Sequence, residues 1–173
     1  MASQEFDLII LGGGSAAFAS AIKASDLGAK TAMIERGAIG GTCVNRGCVP
    51  SKHLLTAGEL IYYSQNNEFD GIKLRKQRFD FKAIMKMKRN LVRDLRKRKY
   101  ADVLKALPNV NHFKGSANFV SDKEVRVGKD ILKADKFIIA TGSSPHIIPI
   151  KGIEEIDYLT SDDALDHHKP SPS

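Results

Sequence analysis

The first 35 residues leave little choice of fold. Phe6-Asp7-Leu8-Ile9-Ile10-Leu11 is a nearly continuous apolar run, the pattern of a strand buried on both faces, and it stops at Gly12-Gly13-Gly14. Ser15 to Ala24 follows, rich in helix formers, and Gly28 closes it. A second run, Lys30-Thr31-Ala32-Met33-Ile34, ends in Glu35. Strand, tight turn, helix and strand make a βαβ unit, two parallel strands joined by a crossover expected to be right-handed. The predicted fold class is α/β and Rossmann-like.

The turn carries chemistry as well as direction. Gly12 suits the tight bend, Gly14 lets backbone approach a pyrophosphate, and Ala17 is small enough for helix to pack on strand. The helix start offers free N–H groups and a positive dipole end to phosphates. Glu35 is placed to accept hydrogen bonds from an adenosine ribose. A glycine turn alone also occurs in other α/β proteins. The strand before it, the helix after it and the acid closing strand two point to dinucleotide binding.

Arg36 to Thr42 reads as a glycine-rich loop, and Ser51 to about Gln65 as helix. Asn66 to Gln77 is polar and expected to be a loop. Phe79 to about Leu107 reads as one long helix or two short ones, with Ile84, Met87, Leu91 and Leu95 along one face and Pro108 at its end. Short strands around Val110 to Phe113, Ala117 to Val120 and Val125 to Val127 predict a small antiparallel meander. Lys136 to Ala140 is a further buried strand. Thr141 and Gly142 lie in the turn at its carboxyl end, where open α/β sheets bind ligands.

Between the βαβ unit and the first long helix stand the only two cysteines, Cys43 and Cys48. In an ideal helix, Cα atoms five residues apart lie roughly 8–9 Å from each other, beyond the ~7 Å a disulfide tolerates. A bond therefore needs a distorted segment. Gly47 permits the bend, and Pro50 suits the first turn of a helix beginning near Cys48. At such a helix start, with Arg46 and Lys52 nearby, Cys48 is expected to favour thiolate. Inert buried thiols fit these surroundings poorly. A zinc site lacks ligands, because His53 is the only histidine nearby. A redox-active dithiol is the reading that stands.

The net charge of +7 gathers between Lys73 and Lys99. Lys86, Lys88, Arg89, Arg93 and Arg96 to Lys99 alternate with Met87, Leu91 and Leu95, so we read a solvated basic helix face and expect no nucleic-acid partner. No apolar run reaches the ~20 residues of a membrane helix, and no membrane partner is expected. A cytoplasmic location is the expectation, and two cysteines in a reducing compartment are not a structural staple.

Gly41-Thr42-Cys43-Val44-Asn45-Arg46-Gly47-Cys48-Val49-Pro50-Ser51-Lys52 resembles the redox motif of the FAD-dependent pyridine nucleotide-disulfide oxidoreductases, the family of dihydrolipoyl dehydrogenase, glutathione reductase and mercuric reductase. The resemblance extends over Gly12 to Ala17, Glu35, Gly115-Ser116-Ala117 and Ala140-Thr141-Gly142, hence almost the whole chain. Val49, Ser51-Lys52 and Tyr158-Leu159-Thr160-Ser161 lean toward mercuric reductase. The resemblance implies FAD as cofactor, NAD(P)H as hydride donor, and a Cys43–Cys48 disulfide that receives electrons from the flavin. By position Cys48 is similar to the flavin-facing thiol, Cys43 to the interchange thiol, and Lys52 to the lysine beside the flavin ring. Gly37, Thr42, Ala117, Thr141 and Gly142 join Gly12, Gly14, Ala17, Glu35 and Lys52 as implied FAD contacts. Arg46 departs from the motif, which commonly has an aliphatic residue there.

The family's nicotinamide domain, C-terminal dimerisation domain, His-Glu pair and terminal cysteine pair have no counterpart in these residues. Residues 1–165 are accordingly expected to be the N-terminal portion of an FAD-binding domain, incomplete relative to the family, and 166–173 a linker toward an NAD(P)-binding domain. The implied substrate is a small-molecule disulfide or Hg(II), the latter making Cys43 and Cys48 metal ligands. A homodimer is expected of the full-length parent. The alternatives are a dihydrolipoyl dehydrogenase-like part, or a non-catalytic module whose thiols bind FAD or soft metals.

Overall fold

A computed structural model describes residues 3–66, 69, 71, 72 and 78–167. Most of the expected polar loop, the basic residues Lys73, Arg75 and Lys76, and residues 168–173 of the expected linker lie outside the described residues. In chain order the elements are β1 (Ser3–Glu5), β2 (Leu8–Leu11), α1 (Ser15–Asp26), β3 (Thr31–Glu35), α2 (Gly41–Asn45), α3 (Cys48–Gln65), α4 (Phe81–Arg96), α5 (Asp102–Lys105), β4 (Val110–Lys114), β5 (Ala117–Phe119), β6 (Glu124–Val127), β7 (Asp130–Lys133), β8 (Phe137–Ile139) and α6 (Ser161–Asp166). They fall into two compact units. One comprises the chain up to Thr42 together with Leu95 to Ser144; the other comprises Cys43 to Asp94 and the chain from Pro145.

The first unit holds the expected βαβ start. β2 lies between β3 and β8 in a four-stranded parallel sheet of order β4-β3-β2-β8, with Ile10 opposite both Met33 and Ile138. Because side chains alternate across a strand, Ile9 and Leu11 face one side and Ile10 the other. Ile9, Leu11, Ala32 and Ile34 pack with Val125, Val127 and Leu132 of a second sheet, and the edge-on pair Phe6–Phe113 borders this core. Ile10 and Met33, both without exposed surface, pack on the opposite face against Ala17, Phe18 and Ala21 of α1. Burying each such side chain contributes about 1.5–3 kcal/mol. The result is three layers: small sheet, parallel sheet, helix.

The second sheet corrects one expectation. Val110 to Phe113 does not open the meander; β4 runs parallel to β3, from Val110 opposite Thr31 to Lys114 opposite Glu35. The reason lies in the connection. A helical crossover returns the chain to the start of β3, where the Thr31 N–H donates to the Asn109 carbonyl at 2.8 Å, and a crossover of that kind delivers a parallel strand. The antiparallel meander is β5-β6-β7, and β1 adds to β7 in parallel. Neither β1 nor β7 was expected, since both are short, β1 is polar and β7 has only two apolar residues.

The helical run after Phe79 is continuous but changes pitch. α4 passes into a π-helical turn at Lys97–Ala101 and then into α5. Tyr100 sits on this turn, edge-on to Phe18 of α1 with ring centroids 4.8 Å apart. In the second unit, α4 buries Met85, Lys88 and Val92, whereas Met87 is 61% exposed. The expected stripe is thus rotated by about one position, and Lys88, expected on the solvated face, is a buried residue. No described helix is long and apolar enough to cross a membrane.

Candidate functional site

In the first unit the glycine turn is built by close backbone approach. The Gly12 N–H donates to the Ile34 carbonyl at 2.7 Å. A Cβ on Gly12, whose φ is +127°, would lie 2.1 Å from the Ala140 carbonyl oxygen, so turn and β8 exclude a side chain there. Gly14 caps α1 in an extended conformation with no side-chain hydrogen bond, and no acidic residue occupies the first turn. The loop after β3 laces onto the turn: the Gly40 N–H donates to the Gly13 carbonyl at 2.7 Å, and a Cβ on Gly41 would meet Gly14 Cα at 2.8 Å. Ala17, in the first turn of α1, is fully buried.

Glu35, the last residue of β3, folds its side chain beside Gly13, and its Oε1 accepts the Gly37 N–H at 2.6 Å. It borders a cavity of about 560 Å³ at the carboxyl ends of β2, β3 and β8. Among the residues expected from the sequence, Gly12, Glu35, Ala117, Thr141 and Gly142 line that cavity. Gly14 and Gly37 border the turn and the acid without lining it, and Thr42 is exposed on α2. Arg36 and Asn118 also line the cavity and were not singled out. Arg36 had a signal, since it follows the acid that closes β3; Asn118 had none.

The donor set suits an adenine dinucleotide on structural grounds. An uncapped helix start and side-chain-free turn offer N–H groups to a pyrophosphate, and a carboxylate at the end of the neighbouring strand suits a ribose.

The dithiol belongs to the second unit. Cys43 lies on α2 and Cys48 opens α3, with the helical path broken at Arg46-Gly47. Pro50 is buried in the first turn of α3, as that position favours. Both cysteines are free and exposed. The Cys43 thiol is pushed above its ordinary range, chiefly by its hydrogen bond with Cys48, then by desolvation and the charge Cys48 would carry. The Cys48 backbone N–H and the Lys52 ammonium, one helical turn on, pull the other way. Arg46 is turned to Asp162 of α6, Nη1 to Oδ2 2.9 Å. Among the described residues, no group of three or more His, Cys, Asp or Glu side chains is placed to hold a metal ion.

A three-layer α/β unit with a glycine cradle and a terminal acid is the architecture of a dinucleotide-binding protein, here in a chain that also carries two free cysteines flanking a helix break. The chain belongs to the pyridine nucleotide-disulphide oxidoreductase family, whose model matches residues 6–171. It is 48% identical over 164 residues to a mercuric reductase of Lysinibacillus sphaericus, covering 95% of this chain and 30% of that protein. A mercuric reductase of Staphylococcus aureus is 44% identical over 162 residues, 94% of this chain and 29% of the relative. Among solved structures, the HOCl-induced flavoprotein disulfide reductase RclA from Escherichia coli superimposes with a TM-score of 0.77 at 26% identity, over 94% of this chain and 34% of that one. The chain thus spans about a third or less of the length of these relatives.

Proposed function

We propose that this chain is the flavin-binding and dithiol portion of a mercuric reductase. The observation that carries the proposal is the pair of free cysteines flanking a helix break, Cys43 on α2 and Cys48 opening α3, in a chain whose relatives are mercuric reductases. When bound, FAD would supply two-electron exchange between NAD(P)H and the Cys43–Cys48 disulfide. Gly12, Gly14 and Ala17 keep the turn and helix start open for the pyrophosphate, and Glu35 takes the adenosine ribose. Ala117, Thr141 and Gly142 wall the cavity, while Gly37 orients Glu35 through its N–H. Cys48 is assigned the flavin-facing thiol, Cys43 the thiol that meets Hg(II), and Lys52 the charge beside the flavin. Thr42, next in sequence to Cys43, is assigned a flavin contact.

Residues 1–165 are in this assignment flavin-domain sequence, and 166–173 lead toward an NAD(P)-binding domain. A cytoplasmic setting and a homodimeric parent go with it. The decisive experiment compares the wild type with Cys48→Ser after FAD loading and dithionite reduction. The wild type is expected to develop a long-wavelength charge-transfer band and the variant to lack it. A variant spectrum identical to wild type overturns the role given to Cys48.

A further inference from the structure

Arg46 occupies the two-residue break between the cysteine-bearing helices, where the motif of this family commonly has an aliphatic side chain. Its guanidinium is 2.9 Å from the Asp162 carboxylate. That carboxylate stands on a helix fixed at both ends. At the start of α6, Thr160 and Asp163 form a reciprocal capping box: the Thr160 N–H donates to Asp163 Oδ2 at 2.9 Å, and the Asp163 N–H donates back to the Thr160 hydroxyl. At its end, the buried Lys88 ammonium donates to Asp166 Oδ1 at 2.6 Å and to the Leu165 carbonyl.

We propose that Arg46 and Asp162 are positioning residues for the dithiol, α6 acting as a clamp that holds the Arg46-Gly47 break in the shape from which Cys43 and Cys48 close to a disulfide. The proposal rests on the dithiol assignment above. Closing the bond removes one proton from each thiol, forms the S–S bond, and passes two electrons to an acceptor disulfide, which becomes two thiols. A segment between two helices loses conformational freedom on closing. Tethering Arg46 removes part of that freedom beforehand, so the clamp favours the disulfide. Arg46 is absent from the charges acting on the Cys43 thiol, in contrast to Lys52, which fits a tether better than a source of charge.

The test uses the full chain in a series of reduced and oxidised glutathione mixtures. The fraction of Cys43–Cys48 disulfide is read by alkylation and mass spectrometry in wild type, Arg46→Leu, Asp162→Asn and the double variant. Each single change is expected to lower the oxidation equilibrium constant about twofold to fivefold, the range of one exposed ion pair. The double variant is expected to fall no further, and Asp162→Glu to restore the wild-type value. Asp162→Asn is isosteric and keeps the test open should Arg46→Leu fold poorly. Equilibrium constants unchanged in both single variants, or strictly additive losses in the double, overturn the clamp while leaving the dithiol intact. A wild type that forms no internal disulfide in any mixture overturns the dithiol assignment and the clamp together.

Discussion

Gly12 has less latitude than any other position in the turn. An alanine there must move the Ala140 carbonyl, which is backbone and part of the connection out of β8, and must also adopt a φ of +127°. Gly12→Ala is expected to cost on the order of 3 kcal/mol or more in urea unfolding. Gly28→Ala, also at positive φ but with open space around the Cβ, should cost only the roughly 1–2 kcal/mol of the left-handed conformation. Equal losses at the two sites would contradict the steric account. The sequence announces both glycines as turns, yet the partner that makes Gly12 obligatory lies more than a hundred residues away, and local pattern cannot reach it. The thiols give a second residue-scale prediction. Because the Cys43 pKa is raised, less thiolate exists at a given pH, and its alkylation should accelerate at higher pH than that of an ordinary thiol. Cys48→Ala removes both the hydrogen bond and the charge that raise it, so the Cys43 profile should shift to lower pH. Lys52→Met removes a lowering influence and should shift it to higher pH. Iodoacetamide rates between pH 6 and 10 decide both signs, the same direction in both variants being the result that sinks the account.

At the scale of elements, Lys88 is the residue that the sequence misassigns. In a run of lysines and arginines its charge is indistinguishable from its neighbours', and only the three-dimensional position of α6 makes it a buried donor, 3% exposed at the side chain. The stripe of α4 is displaced as well: Ile84, Met87, Leu91 and Leu95 do share a face, but the buried line runs through Met85, Lys88 and Val92. Asp166→Asn weakens a charge-assisted bond to an ammonium that remains buried, and should lower stability by about 1–3 kcal/mol. Lys88→Met, which removes the buried charge itself, should cost less. Thermal melts that rank the two the other way would show that the ion pair is not what holds α6. The cap of α6 responds to acid. The Asp163 carboxyl is held below its ordinary value by hydrogen bonds from the Thr160 hydroxyl and N–H. Its contribution is therefore complete above the ordinary carboxylate pKa, near 3.8, and is lost as pH falls below that through the depressed value. Thr160-Ser161-Asp162-Asp163 spells this cap in the sequence, since a hydroxyl residue precedes an acid by three positions. The meander was less legible because β4 to β8 are all five residues or fewer, and parallel or antiparallel pairing is set by the connections rather than by the strands.

For the whole chain, the question is which functions these residues can perform by themselves. Ile139 on the edge strand β8 is 69% exposed, and Leu60, Ile148, Ile156 and Leu159 are each more than half exposed. An uncovered strand edge and apolar surface of this extent favour association, so hydrodynamic size should be measured alongside any binding experiment. In the proposed assignment, binding of the adenine half of the dinucleotide falls to the first unit. The turn, the α1 start, Glu35 and the cavity walls all belong to the first unit. FAD titrated into the full chain should lose fluorescence on binding, and ADP should compete, because both carry the adenosine and phosphates that the proposal assigns to the turn and the acid. Glu35→Gln keeps an oxygen that can accept from the Gly37 N–H but removes the charge, and its loss should weaken FAD about tenfold to a hundredfold, the worth of a hydrogen bond to a charged group. The same substitution should leave the Cys43 alkylation profile unchanged, since Glu35 does not contribute to that thiol's shift. FAD affinity equal in wild type and Glu35→Gln, or bound FAD that ADP fails to displace, would remove the adenosine end from this cavity.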